Sequence, residues 1–406
     1  MVVTATPNEA LIGRLVPERG PAWEADELVT AAGLRAAFDH DRPFTIGIEE
    51  ELMLLDPASY GLTPVVDVIL ERAGDDPRLS RELRKSQIEI ITPIAGNAHA
   101  AGLSLARTRI DVNRLADGEA VIAAAGTHPT GNDWGALGGA RYREIAEEYP
   151  AATSGSLPCG LHVHVAVSGA DRALAIYNAI RSYLPEIAAL AANSPYLDGA
   201  DTGLASARRT LNDLFHRAGT PPPFADWDAF ATYIRWGQRG GMFPDTTHLW
   251  WDLRPHPVHG TLELRVADAQ TRVDDAIAVA ALFQSLVVLL ASRYDAGEAL
   301  GWHAPERIAE NAYRAMRYGV RGWMVDLETG EREETRARIM RLLDTIETTA
   351  EGLGNGAGLL TARSLVVDNG AERQRYVAED RGFDGLLAWL AAETAGSAEE
   401  VLRRRA

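Results

Sequence analysis

The chain has 406 residues, 46% of them hydrophobic and 24% charged, which suits a globular enzyme with a substantial buried core. Its formal charge of −17 repels polyanions and excludes general affinity for nucleic acid or anionic membranes, though not for a nucleotide held through metal ions and arginines. A single cysteine, Cys159, excludes an internal disulfide, and no apolar run reads as a membrane span or signal sequence, so a cytoplasmic protein is expected.

Residues 1–42 read as a variable lead-in with a helix near Glu24–Phe38. Phe44–Asp56 alternates like a strand and ends in an Asp-Pro turn; Ile88–Thr92 is a second strand, closed by Pro93. Ala98–Leu115 reads as a helix and Ala120–Ala125 as an apolar strand. Thr127–Gly160, rich in Gly, Pro and aromatic residues, reads as a lid or binding loop. Leu161–Val167 is another alternating strand, Asp171–Ala192 a helix and Asn193–Phe224 a loop. Gly260–Ala267 is the last clear strand. Helices are expected over Val273–Arg293, Pro305–Gly319, Glu334–Glu351 and Phe383–Arg405, with a loop at Gly352–Gly358. The pattern indicates an α+β fold, a sheet with helices on one face. No Gly-x-Gly-x-x-Gly follows a strand, and Lys85 is the sole lysine. Dinucleotide folds, Walker A loops and the protein-kinase set are thereby excluded, so ATP chemistry here would use arginines and metals.

Three strands share one feature. Residues two apart on a strand leave the same face, and such pairs are Glu49 and Glu51, His162 and His164, and Glu263 and Arg265. The interleaved Ile48, Val163, Leu262, Leu264 and Val266 are apolar and would face a helix-packed core; Glu50 is the exception on that side. Any one pair is explained by an ordinary half-exposed strand. Together they differ from solvated faces in carrying carboxylates, imidazoles and a guanidinium. Side by side, such carboxylates raise one another's pKa unless neutralised, and a carboxylate-dominated set suits Mg²⁺, with Mn²⁺ as the alternative, rather than structural zinc. Mg²⁺ commonly binds substrate phosphates, so a nucleoside triphosphate is its natural companion. Arg265 and Arg254 would supply bidentate phosphate contacts. Glu89 in Gln87–Pro93 is a further candidate ligand, and Glu82 a weaker one.

An ordered series of segments resembles the glutamate–cysteine ligase type 2 family of carboxylate–amine ligases, within the glutamine-synthetase-like superfamily. It comprises Gly47–Leu52, Glu89–Pro93, Gly126–Pro129, Gly160–Val167, Ser194–Arg208, Trp251–Pro255 and Gly260–Thr271. The resemblance covers about residues 43–385, which it makes a single ligase domain with 386–406 as its terminal helix. It implies a glutamine-synthetase-like fold, in which a curved antiparallel sheet carries helices on its outer face. Residue by residue it implies metal ligands at Glu49, Glu51, Glu89, His162 and Glu263. It implies a phosphate or nucleotide contact at His164, and a phosphate-binding, catalytic arginine at Arg265. Arg254 and Arg208 would lie near the acid substrate or the γ-phosphate. The residue before His162 and the Ser80–Ser86 segment depart from the pattern, the latter leaving Glu82 unaligned.

The implied activity is ATP-dependent amide formation through an acyl phosphate, nominally glutamate plus cysteine giving γ-glutamylcysteine. Small amino acids and ATP would be the partners, and a homo-oligomer is compatible with this. Rival readings are another acid and amine pair, a guanidino-kinase-like phosphotransferase, a non-catalytic nucleotide-binding protein, and a metal-dependent hydrolase. The last would want a histidine-richer zinc site.

Overall fold

The computed structural model describes residues 28–404, apart from 133–136, 138–139, 154 and 156. Its centre is a seven-stranded sheet: β1 (Ile46–Leu55), β2 (Leu79–Arg81), β3 (Gln87–Ile91), β4 (Val121–Ala123), β5 (Gly160–Ala166), β6 (Leu253–His256) and β7 (Thr261–Asp268). The order is β6-β7-β5-β1-β3-β2, with β4 paired to the end of β1, and every pair is antiparallel.

The two-residue period decides what each face carries. Ile46, Ile48, Leu52 and Leu54 of β1, Leu161, Val163 and Val165 of β5, and Leu262 and Leu264 of β7 are all buried. They meet a helical layer that includes α1 (Ala98–Ala116), α2 (Ala170–Ile180) and α3 (Val273–Asp295). This is the expected α+β arrangement, with an antiparallel sheet and helices packed on its outer face. Glu50 lies on the apolar side at no exposure, and Arg109 of α1 forks onto it, Nε at 2.9 Å and Nη2 at 2.6 Å.

Long, apolar α3 is the hub, packing against α1, α2, Thr335–Leu353 and Gly356–Leu365. By length and composition it could cross a membrane, which corrects the expectation that no apolar run reaches that length. Its most apolar stretch is 83% buried inside this fold, so its apolar surface is already covered.

Other expectations shift in detail. The helix expected near Glu24–Phe38 partly lies outside the described residues; the observed helix is Ala31–Ala36, beside Trp227–Arg239. Phe38 is fully buried and its ring lies 5.1 Å from that of Trp227, so Phe38 and Leu34 join the core from this segment. The helix expected over Asp171–Ala192 breaks after Ile180 into a 3₁₀ turn and resumes at Leu184–Leu190, with Pro185 in its first turn. A helix, Ala140–Glu148, stands in the stretch expected to be irregular, and Trp227–Arg239 is a helix capped by the Asp226 side chain. Gly356–Leu365 is helical where a loop was expected, and the final helix runs Gly370–Arg403 with a kink at Gly382.

Candidate active site

The face of the sheet turned away from the helices collects the charged residues. Register puts Glu49 opposite His162, Glu51 opposite Glu89, Glu263 opposite His164, and Arg254 opposite Glu263. Five adjacent strands thus bring the expected residues onto one surface, across which cross-strand side chains interact. A shift of register on β7 between Leu264 and Ala267 spans Arg265 and Val266; bulges of this kind re-aim side chains beside functional sites.

Glu49 occupies the middle. Its Oε2 lies 3.4 Å from His162 Nδ1 and its Oε1 3.3 Å from His164 Nε2. Two groups have ligand atoms within 4.8 Å of one another, Glu49–His164–Glu263 and Glu49–Glu89–His162, and Glu49 belongs to both. Nε2 of His162 and of His164 are buried and make no hydrogen bond among the described residues. On the far side of its ring His164 is oriented by Thr261, whose Oγ1 lies 2.9 Å from Nδ1, a common device for aiming a liganding nitrogen.

The carboxylates carry unbalanced charge. Burial, reinforced by the negative charges of Glu82, Glu49 and Glu51, pushes Glu89 well above the usual carboxylate range. Burial and Glu51 push Glu82 up to about 8. Burial also opposes ionisation of Glu49, but the adjacent imidazoles of His162 and His164 hold it below the usual range. Glu263 is buried too, and Arg254 and Arg265 hold it well below. Like charges closing on a buried surface, with imidazole nitrogens left unpartnered, fit a divalent cation.

A cavity of about 330 Å³ opens over this surface, lined among others by Glu49, Glu51, Glu82, Glu89, His162 and Arg265. Arg208 and Arg254 line it as well. Glu263 lies beneath, 1% exposed. His164 borders a second cavity of about 230 Å³ on the other side of Glu49. The expected site residues therefore gather around one carboxylate, with three refinements. His164 was expected at the nucleotide, and it also stands in a metal-competent group. Arg254 was expected to act on phosphate, and most of its donors are engaged within the protein. Nε and Nη2 fork onto Glu263 at 2.7 and 3.1 Å, and Nη1 reaches the carbonyls of Thr246 and Leu249, which makes it a positioning residue for Glu263. Glu82, the weakest candidate, faces Glu51 and Glu89 across the cavity wall. It follows β2 on irregular backbone, where no periodicity marks it. Cys159 is buried beside Gln87, and burial pushes its thiol well above the ordinary range, the mark of an inert cysteine.

Comparison with known proteins agrees with the geometry. The family model of glutamate–cysteine ligase family 2 matches residues 45–401. The glutamate–cysteine ligase of Natronomonas pharaonis is 35% identical over 368 residues, covering 89% of this chain and 98% of that protein. That of Haloferax volcanii is 34% identical over 368 residues, covering 88% and 99%. Among solved structures, the glutamate–cysteine ligase of Francisella tularensis in complex with AMP superposes with a TM-score of 0.62 at 14% identity, over 90% of this chain and 94% of that one. A bifunctional glutathione synthetase from Pasteurella multocida gives 0.62 at 14% identity, over 92% of this chain and 54% of that one. Likeness at such low identity speaks for a shared fold alone, whereas the family match spans nearly the whole described chain. The chain belongs to glutamate–cysteine ligase family 2, a family of carbon–nitrogen ligases.

Proposed function

We propose that the protein is an ATP- and magnesium-dependent carboxylate–amine ligase that activates the side-chain carboxylate of glutamate as an acyl phosphate and joins it to an amine, nominally that of cysteine. The observation that carries this reading is the position of Glu49, shared by two metal-competent groups in the wall of the large cavity. One carboxylate serving two adjacent groups suits a reaction in which phosphate oxygens must be neutralised on both sides of the transferred phosphorus.

Glu49, Glu51, Glu89, His162 and Glu263 would hold the cations, with Glu82 and His164 adjoining. Mg²⁺ or Mn²⁺ bound there supplies charge neutralisation for the phosphate oxygens. The remaining work is positioning. Arg265, anchored on Glu263, presents its guanidinium to the cavity and stabilises charge on the transferred phosphoryl group. Arg254 fixes Glu263, and Thr261 fixes the ring of His164. A substrate carboxylate oxygen bonds to the γ-phosphorus and ADP leaves. The amine nitrogen then bonds to the acyl carbon, phosphate leaves, and the nitrogen sheds a proton. Holding the reactants in line accounts for much of the rate.

The test is ADP release with Mg-ATP, glutamate and a panel of amines, with product masses determined. An amide is expected; a phosphorylated acceptor would indicate a phosphotransferase, and no product with any pair would sink the ligase reading. Glu49→Gln should lower turnover by roughly 10²–10³-fold with an unchanged circular dichroism spectrum. Near-normal turnover would remove Glu49 from the centre of the site.

A further inference from the structure

The strand that carries Glu263 and Arg265 ends on a buried aspartate whose partners lead away from the cavity. Asp268 is 1% exposed. The Asn193 amide and the Ser194 hydroxyl donate to its Oδ2 at 2.8 and 2.7 Å, and the Ser206 hydroxyl donates to its Oδ1 at 2.9 Å. Just beyond Ser206 stands Arg208, whose Nη1 lies 3.9 Å from that same Oδ1. This separation is too long for a hydrogen bond. The charge of Asp268 is spread over three short donors, so it attracts the guanidinium without capturing it. Arg254 is the contrast, because its Nε donates to Glu263 at 2.7 Å and is held there.

Arg208 lines the large cavity. Its terminal nitrogens share the Arg265 carbonyl, each at 3.4 Å. A Cβ on Gly160 would lie 2.3 Å from its Nη2, and the amide of that glycine donates to Glu51 Oε2 at 2.7 Å. The guanidinium thus sits over the start of β5, the strand between those carrying Glu51 and Arg265. Behind Asp268 the network runs to the final helix. Gln374, fully buried there, donates from Nε2 to the carbonyl of Asn193 at 2.7 Å and to its side-chain oxygen at 2.8 Å. Asn193 Nδ2 in turn donates to the Ala269 carbonyl and the Thr271 hydroxyl. Missing side chains admit both groups. A Cβ on Gly370 would lie 2.1 Å from Asn193 Oδ1, and one on Gly126 would lie 2.6 Å from Asp268 Cγ, so glycine is required at each by close approach.

Resting on the ligase reading above, we infer that Ser206, Asp268 and Gln374 are positioning residues that hold the Arg208 guanidinium poised at the cavity instead of locked in an ion pair. Ser206 acts by occupying the Asp268 oxygen nearest the guanidinium. Without its hydroxyl that oxygen is left open in a buried setting, and it takes Nη1 directly, because an unsatisfied buried acceptor is costly. Gln374 acts through Asn193. Without its amide the Asn193 side chain loses its hold, and with it the backbone amide that fixes Oδ2 of Asp268 loses its support. Neither Ser206 nor Gln374 lines the cavity, so each reaches the site through Arg208.

The experiment places Ser206→Ala and Gln374→Met separately in wild type and in Arg208→Gln. ADP release is measured with Mg-ATP, glutamate and the best amine of the panel above, at a temperature below every variant's unfolding transition. In wild type each substitution should lower kcat/KM at least roughly tenfold, since misplacing a charged group at a site costs that much or more. In Arg208→Gln, itself down roughly 100-fold, each should change kcat/KM by less than about twofold, because residues acting through one group are not additive. A merely structural role gives the same fold-loss in both backgrounds, and that result overturns the proposal. Full turnover in Arg208→Gln overturns it as well. Crystal structures of the ligand-free wild type and Ser206→Ala provide a readout without turnover: Arg208 Nη1 should close on Asp268 Oδ1 to about 2.8 Å in the variant, and an unchanged separation counts against the inference. Ser206→Ala removes one hydroxyl only, so it carries the test if Gln374→Met does not fold. If no acid and amine pair supports ADP release from wild type, the ligase reading fails, and the two crystal structures decide the network on their own.

Discussion

Glu50 and Arg109 have no solvent exposure at either side chain, so each charge persists in the core only through the other. Removing one partner from a buried pair strands the remaining charge. Arg109→Met should therefore destabilise the fold by about 3–5 kcal/mol, read as a lower urea midpoint. Glu50→Leu combined with Arg109→Met removes both charges and should recover most of that loss. It should not recover full activity, because Arg109 also donates to the carbonyls of Gln270 and Thr271 at 2.6 and 2.9 Å. Through these bonds it ties the chain leaving β7 to β1, and so sets the strand carrying Glu263 and Arg265 against the one carrying Glu49 and Glu51. A double variant with normal stability and normal turnover would show the pair to be dispensable for the site.

Among the helices, the packing around α3 depends on missing side chains. A Cβ on Gly102 of α1 would lie 2.1 Å from Ile277 Cγ1, and one on Gly358 would lie 2.7 Å from the Ala281 Cβ. Two neighbouring helices thus approach α3 through glycine. Gly102→Val should lower stability by at least about 1–3 kcal/mol, measured as a fall in melting temperature. Gly352, near the end of Thr335–Leu353 with open space where a Cβ would stand, is the contrast. There, substitution by Ala should be neutral or stabilise by up to about 1 kcal/mol. Equal losses at both positions would mean that helix propensity, not approach distance, governs this layer. The same packing explains which elements were legible from sequence. β1, β5 and β7 were, because alternating burial forces alternating residues, and their face pairs meet on one surface. Gly356–Leu365 was not, since its Gly358 is required by contact with α3 and looked like a loop signal. β2 has three residues, too few for a period, and Glu82 follows it without one.

At the scale of the whole molecule, a chain with a net charge of −17 concentrates part of its acidity in one buried cluster, which ties stability to pH and to divalent cations. Unfolded, its glutamates ionise near the ordinary value of about 4.3. Folded and cation-free, Glu82 is pushed up to about 8 by burial and by Glu51, and Glu89 well above its ordinary range by burial and its three carboxylate neighbours. Across that window the folded state binds more protons than the unfolded one, so these two groups make stability fall as pH rises from the ordinary carboxylate range through about 8. Glu49 and Glu263 have the opposite sign. Their folded values lie below the ordinary range, so their contribution is present at neutral pH and is lost only as pH falls through those lower values. Of the histidines, His162 is lowered by burial and by Arg265, whereas His164 is raised because Glu263 and Glu49 together outweigh its burial; they work against each other near neutrality. A cation in the cluster competes with the protons of Glu82 and Glu89, and so stabilises most where those protons are hardest to keep. In the presence of chelator, the melting temperature should decline between pH 5.5 and pH 8. Adding Mg²⁺ should raise it more at pH 8 than at pH 5.5, and Glu89→Gln should shrink that difference. A larger Mg²⁺ effect at pH 5.5, or an unchanged one in Glu89→Gln, would place the stabilising cation somewhere other than this row of carboxylates.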